Sequence, residues 1–98
     1  MNKESSIERA VVRWATKRGI SSVKMESTSQ VGLPDRLFLL KGGKPLFIEF
    51  KAPTGKLSMI QSVTINRLKD LKYNVYVVTS KEEAIHLIKE AIGEVNED

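Results

Sequence analysis

Two apolar runs, residues 33–40 and 46–50, flank the polar quartet Lys41-Gly42-Gly43-Lys44. Runs of this length bounded by turn residues form two strands of a hairpin. Nearly every position in them is apolar, so the pair is expected to be covered on both faces. Charges break this pattern at Asp35, with Arg36 beside it, and at Glu49, with Lys51 directly after the second run. A carboxylate buried without a partner is costly, so a chain that folds around these runs must compensate the charges from within.

The hairpin register decides how the charges meet. Glu49 and Lys51 are two apart on one strand and project from the same face. A two-residue Gly42-Gly43 turn would set Asp35 across from Phe50, on the wrong face. A three-residue Lys41-Gly42-Gly43 loop needs a left-handed residue in third place, which Gly43 supplies. That register pairs Leu40 with Lys44 and places Asp35 opposite Glu49, with Cβ atoms roughly 4.5–5.5 Å apart. Two facing carboxylates repel unless a cation bridges them, and a divalent ion does so. Asp35, Glu49 and the Phe50 carbonyl, which points away from the Glu49–Lys51 face, are the candidate ligands. The chemistry that fits is metal-assisted hydrolysis of a phosphodiester, with Lys51 orienting the attacking water or accepting its proton.

The rest of the chain supplies a frame for this hairpin. Residues 4–18 carry Ile7, Ala10, Val11, Trp14 and Ala15 at helical spacing and stop at Gly19. A short strand is expected over 21–28, a polar loop over 29–33, and strands over 35–40 and 46–51. After a loop at 52–57, Ser58 caps a second helix reaching about residue 71. Residues 73–79 form a β-branched strand, and Ser80 caps a third helix. Residues 93–98 read as a frayed acidic tail. The order α-β-β-β-α-β-α describes one α/β domain over residues 1–98, a mixed sheet flanked by helices.

Composition narrows the chemistry. The chain has no cysteine and one histidine, His86. Disulfides, thiolate metal sites, thiol catalysis and paired-imidazole mechanisms are therefore excluded. Oxygen ligands favour Mg²⁺ or Mn²⁺. The formal charge of +4 suits a polyanionic partner. The lack of cysteine and of a long apolar N-terminal stretch reads as a soluble, intracellular protein with no membrane association.

Around the central three residues the sequence leaves alternatives open. Glu8 falls on the sheet-facing side of the first helix, as a metal or water ligand, yet Ser5-Ser6-Ile7-Glu8 also reads as a capping box. Glu4, one turn earlier, competes with it. Gln61 has the same ambiguity within Ser58-Met59-Ile60-Gln61, and Ser80-Lys81-Glu82-Glu83 is a third box with no functional rival. Arg9, Arg13 and Lys17 form a basic row that reads first as a solvated face. Lys24, Arg36, Lys44 and Lys56 are the preferred candidates for phosphate contacts. Trp14 is assigned to the core and His86 to no role.

The string Gly32-Leu33-Pro34-Asp35, then Phe47-Ile48-Glu49-Phe50-Lys51-Ala52-Pro53, then Gly55-Lys56-Leu57-Ser58 and Gln61, resembles the VRR-NUC domain of the PD-(D/E)xK nuclease superfamily. Leu68 and Tyr76-Val77-Val78 extend the likeness, which covers residues 4–88. The resemblance implies a restriction-endonuclease-like αβββαβ core and Mg²⁺- or Mn²⁺-dependent DNA cleavage. It makes Asp35 and Glu49 metal ligands, Lys51 the catalytic lysine, Glu8 the helix-one acid and Gln61 the glutamine after the Leu-Ser step. Many relatives carry glutamine where this chain has Glu8. Residues 8–19 are also similar to the first helix of archaeal Holliday-junction resolvases, which act as homodimers. Stand-alone domains of this length imply a cytoplasmic, phage or bacterial setting. The expectation is a structure-specific endonuclease acting as a homodimer on branched or junction DNA. The competing expectations are a non-catalytic nucleic-acid-binding module on the same fold and a sequence-specific restriction-type enzyme.

Overall fold

A computed structural model describes residues 3–25 and 32–94. Helix α1 (Lys3–Lys17) leads to strands β1 (Ser21–Lys24), β2 (Arg36–Leu40) and β3 (Lys44–Phe50). Helix α2 (Met59–Asp70), strand β4 (Asn74–Val78) and helix α3 (Lys81–Ala91) complete the expected order. Most ends differ from expectation by one or two residues. The first strand differs more: β1 stops at Lys24, and the expected continuation over 26–28 lies outside the described residues. So do residues 29–31 of the next loop and 95–98 of the tail.

The sheet is mixed, in the order β1-β2-β3-β4, with two antiparallel pairs and a parallel β3–β4 pair. Parallel neighbours need a crossover, and α2 provides it. Pro45 lacks a backbone donor, and it stands opposite Leu39 just before β4 begins pairing at Leu46, where no ladder bond to β4 is lost. The hairpin adopts the three-residue loop, with Leu40 paired to Lys44 and Arg36 to Ile48. Both Gly42 and Gly43 take positive φ, so the loop uses two left-handed positions where the sequence argument required one.

Alternation along β3 separates two cores. Leu46, Ile48 and Phe50 pack with Phe38 and Leu40 against Ile7, Val11 and Ala15 of α1 and Ala84 and Ile88 of α3. The α1 residues recur every four positions, the spacing of a single helical stripe. Phe47 faces the other way, with Val75 and Ile65 of α2. The expectation that both hairpin strands are covered on both faces holds for β3, whose residues from Leu46 onward are buried, but not for β2. Leu39 is 51% exposed. The second layer, a single helix, does not extend over that end of β2. Trp14 lies at the edge of the first core, partly buried, with the Arg18 guanidinium 4.5 Å from its ring centre.

All three helices close in the same way. In each, the residue two past the C-cap returns a hydrogen bond to the carbonyl five positions back: Ile20 to Ala15, Tyr73 to Leu68, Glu94 to Lys89. This is the Schellman arrangement, with Gly19, Lys72 and Gly93 as the left-handed residue. Of the tail expected to fray over 93–98, only Gly93 and Glu94 are among the described residues. Gly93 and Glu94 are tied down by this motif and by a 3.1 Å ion pair from Arg18 to Glu94.

One close approach sets the path into β2. Gly32 has φ +88°, and a Cβ there would lie 2.7 Å from the Ile60 carbonyl oxygen and 2.8 Å from Thr64 Oγ1. The Ile60 oxygen is backbone and cannot rotate away. Gly32→Ala is expected to cost about 2–4 kcal/mol, from this clash together with the left-handed backbone. Urea denaturation measures it, and a loss below about 0.5 kcal/mol would show that the loop is not held against α2.

Candidate active site

The site lies where four chain segments end together: the start of α1, the approach to β2, the end of β3 and the start of α2. Asp35 directly precedes β2, and its carbonyl accepts from the Met25 N–H at 2.9 Å. Its side chain crosses to β3, where Oδ2 accepts from the Phe50 N–H at 2.8 Å. The β2–β3 register continues from Arg36–Ile48 to place Asp35 opposite Glu49. The N–H and C=O of one strand residue point to the same side. The Phe50 carbonyl therefore lies on the Asp35 side, while Lys51 donates its own N–H to Val78 of β4 at 2.9 Å.

Glu49 is 2% exposed, the only buried charged residue among those described. Its Oε2 accepts from Gln61 Nε2 at 3.0 Å and lies 3.4 Å from Lys51 Nζ. Its Oε1 is buried with no hydrogen-bond partner. Lys51 Nζ lies 3.5 Å from Glu4 Oε1, so the ammonium sits between a buried and a half-exposed carboxylate. Burial, reinforced by the charge of Asp35, pushes Glu49 up to about 7 against the opposing pull of Lys51. Asp35 is also raised by burial, partly offset by the Phe50 N–H.

Gln61 resolves its ambiguity by doing both jobs. Its Oε1 accepts from the Ser58 N–H at 2.9 Å and its N–H donates to Ser58 Oγ at 3.1 Å, completing the capping box. The other end of the same amide holds Glu49. Of the box expected at Ser80 only half forms: Ser80 Oγ accepts from the Glu83 N–H, but the Glu83 carboxylate accepts from the Thr79 N–H and not from that of Ser80. The expected box at Ser5 does not form. Helix α1 already begins at Lys3, which places Ser5 inside its first turns and leaves Glu8 free to turn toward the sheet.

Glu8 is paired with two cations. Lys24 Nζ reaches its oxygens at 2.9 and 3.1 Å, and Arg36 Nε reaches Oε2 at 2.8 Å. Burial pushes the Glu8 carboxyl up, but these two partners outweigh it and hold it below the usual value. Glu4, Ser5, Glu8, Lys24, Asp35, Glu49, Phe50, Lys51 and Gln61 line one cleft of about 220 Å³. All five candidate catalytic side chains thus share a single cavity, together with Glu4, the rival of Glu8.

The candidate phosphate contacts divide. Lys24 lines the cleft, and Arg36 lies just outside it, held to Glu8. Lys44 does not: it stands at the hairpin loop, the opposite end of β3 from Glu49, beside residues of the α3 terminus. Lys56 is exposed in the loop after β3 and does not line the cleft. Arg9 and Arg13, read from sequence as a solvated face, are exposed, and they border a groove of about 400 Å³ with Lys24 and Arg36. Their spacing of four, starting next to Glu8, was the available signal. Which way that row faces depends on where β1 packs, and spacing does not encode it. His86 is exposed on α3, 3.5 Å from Glu90, and does not line the cleft.

Among the described residues no three carboxylate or imidazole groups are gathered to cage an ion by themselves. The donors are nonetheless of one kind. The unpartnered Oε1 of Glu49, the Asp35 carboxylate and the Phe50 carbonyl are all hard oxygen atoms, and Mg²⁺ or Mn²⁺ accepts such a set with water completing the shell.

A folded-state value of about 7 for Glu49 means that the native protein binds more protons than the unfolded chain above the ordinary carboxylate value of 4.5. Stability in EDTA is therefore expected to be full below pH 4.5 at this group and to fall as pH rises toward 7. The loss is of order 3 kcal/mol. Thermal or urea denaturation across this range measures it. Glu49→Gln should flatten the profile, and an equally steep profile in that variant would contradict the assignment.

The sequence model of the VRR-NUC domain family matches residues 2–82. A protein of Acyrthosiphon pisum secondary endosymbiont phage 1 named "Putative nuclease p44" is 38% identical over 80 residues, covering 82% of this chain and 86% of that protein. A solved structure described as a VRR-NUC domain superposes with a TM-score of 0.81 at 26% identity, covering 91% of this chain and 97% of the other. Among the described residues no helix is long and apolar enough to cross a membrane. With the family model matching residues 2–82 and the mixed sheet and flanking helices superposing on a solved member, the chain belongs to the VRR-NUC domain family.

Proposed function

We propose that this protein is a metal-dependent DNA endonuclease, acting on branched DNA such as four-way junctions and working as a homodimer. The observation that carries the catalytic part is the Glu49 carboxylate, buried beside Asp35 with Oε1 unpartnered and Lys51 at 3.4 Å from Oε2. Asp35, Glu49 and the Phe50 carbonyl would hold Mg²⁺ or Mn²⁺, with Glu8 available once it gives up its cations. When bound, the ion supplies Lewis-acid activation of water and neutralises charge on the phosphodiester.

The chain's own residues prepare that chemistry. Gln61 fixes Oε2 of Glu49 and leaves Oε1 unpartnered. The Phe50 N–H fixes Asp35 against the end of β3. Lys51, held between Glu4 and Glu49, orients the attacking water and stabilises developing negative charge. The preference for junctions rests on economy of structure. The core carries little beyond the sheet and three helices with which to read bases, and symmetric nicking of a junction needs two sites related by symmetry.

Asp35→Asn and Glu49→Gln are each expected to lower Mg²⁺- or Mn²⁺-dependent cleavage of a labelled four-way junction by at least about 100-fold while DNA binding persists. EDTA should abolish cleavage by the parent. A panel of flap, fork, junction, single-stranded and duplex DNAs tests the substrate. Full cleavage by either variant would refute the site assignment, and cutting confined to one linear sequence would refute the junction reading.

A further inference from the structure

We propose that the groove bordered by Arg9, Arg13, Lys24 and Arg36 seats a nucleic-acid phosphate adjoining the one that is cut, and that this phosphate displaces Glu8 from Lys24 and Arg36. The identity of the ligand rests on the nuclease reading above. The seat and the exchange rest on the geometry of the groove itself.

Three observations carry the inference. First, groove and catalytic cleft are continuous, because Ser5, Glu8 and Lys24 line both. A backbone whose scissile phosphate lies in the cleft passes its neighbour into the groove. Second, charge is segregated along that path. The cleft is lined by four carboxylates, Glu4, Glu8, Asp35 and Glu49, against two lysines, Lys24 and Lys51, whereas the groove presents four cations and Glu8 as its single carboxylate. Arg9 and Arg13 form no ion pair with any described residue and are exposed.

Third, Glu8 is an incomplete partner for the cations that it holds. One carboxylate serves both Lys24 and Arg36, leaving the trio with a net positive charge. The Lys24 side chain is 40% exposed, so its ion pair contributes little net stability and its exchange costs little. A phosphate offers the same acceptor geometry to guanidinium and ammonium as the carboxylate does. Glu8 thus acts as a resident counter-ion that holds Lys24 and Arg36 in place until a backbone replaces it. Released, its carboxylate faces the acidic cleft that it already lines.

Fluorescence anisotropy of a labelled four-way DNA junction in EDTA, over a salt series, tests this without any cleavage. In the parent, Lys24 and Arg36 release Glu8 on binding DNA; in Glu8→Gln they release solution anions instead. Glu8→Gln is therefore expected to bind several-fold tighter, with a log–log salt slope steeper by about 1. In a Lys24→Met/Arg36→Met background the same substitution should change neither affinity nor slope. Arg9→Met/Arg13→Met alters exposed side chains only, and should weaken binding and flatten the slope by about 2. Three results would each overturn the proposal: unchanged or weaker binding by Glu8→Gln, an undiminished Glu8→Gln effect in the Lys24/Arg36 background, or parental binding by the Arg9/Arg13 variant. If the binding pattern appears but the parent cuts no DNA with Mg²⁺ or Mn²⁺, the nuclease reading alone fails.

Discussion

The pairing of Leu40 with Lys44 across the Lys41-Gly42-Gly43 loop governs everything at the far end of the hairpin. Side chains alternate with a period of two, so a slip of one residue would turn Glu49 and Lys51 toward α1 and α3 and put Phe50 in the site. With the register fixed, the apolar members of β3 divide between two cores, and the one charged member falls where β2 begins. The Asp35–Phe50 hydrogen bond locks that end of the hairpin, where β2 itself has not started. Gly32, pressed against the Ile60 carbonyl, delivers the chain to Asp35 from the α2 side.

The cost of this arrangement is borne by Glu49. Burial and the Asp35 charge both work against its ionised form, and Lys51, the Asp35 backbone and the Gln61 amide support it only in part. A cation at the unpartnered Oε1 would reverse that balance, because it favours ionised carboxylates on both strands at once. The surroundings follow the same electrostatic logic. Carboxylates gather where a metal ion and an electrophilic phosphate would meet, and guanidinium and ammonium groups gather one step away, where only backbone charge remains to be neutralised.

The hairpin, its register and the three central charges were legible because each rests on a local rule: alternation, a glycine in the third loop position, and the rarity of charge in an apolar run. The element order was legible for the same reason. What sequence alone left undecided depended on distance in the fold. Gln61 presented itself as either cap or site residue, and the choice was false, since its two amide ends serve both purposes 3.0 Å from Glu49 and 2.9 Å from Ser58. Lys44 is only five positions from Glu49 but stands at the other end of an extended strand, where sequence proximity misleads. Arg9 and Arg13 are solvated as a helical wheel suggests, but the wheel does not show that β1 and β2 bring Lys24 and Arg36 beside them. The two-faced burial expected for β2 failed because the α2 layer is one helix wide.

The central claim is that the Asp35–Glu49 pair is a metal site built from hard oxygen atoms. Its most direct test is anomalous diffraction from crystals of this protein soaked in Mn²⁺. The account predicts a peak within about 2–2.5 Å of Glu49 Oε1, an Asp35 oxygen and the Phe50 carbonyl. A fully exchanged crystal with no peak in this cleft, or with the ion on other ligands, would contradict it.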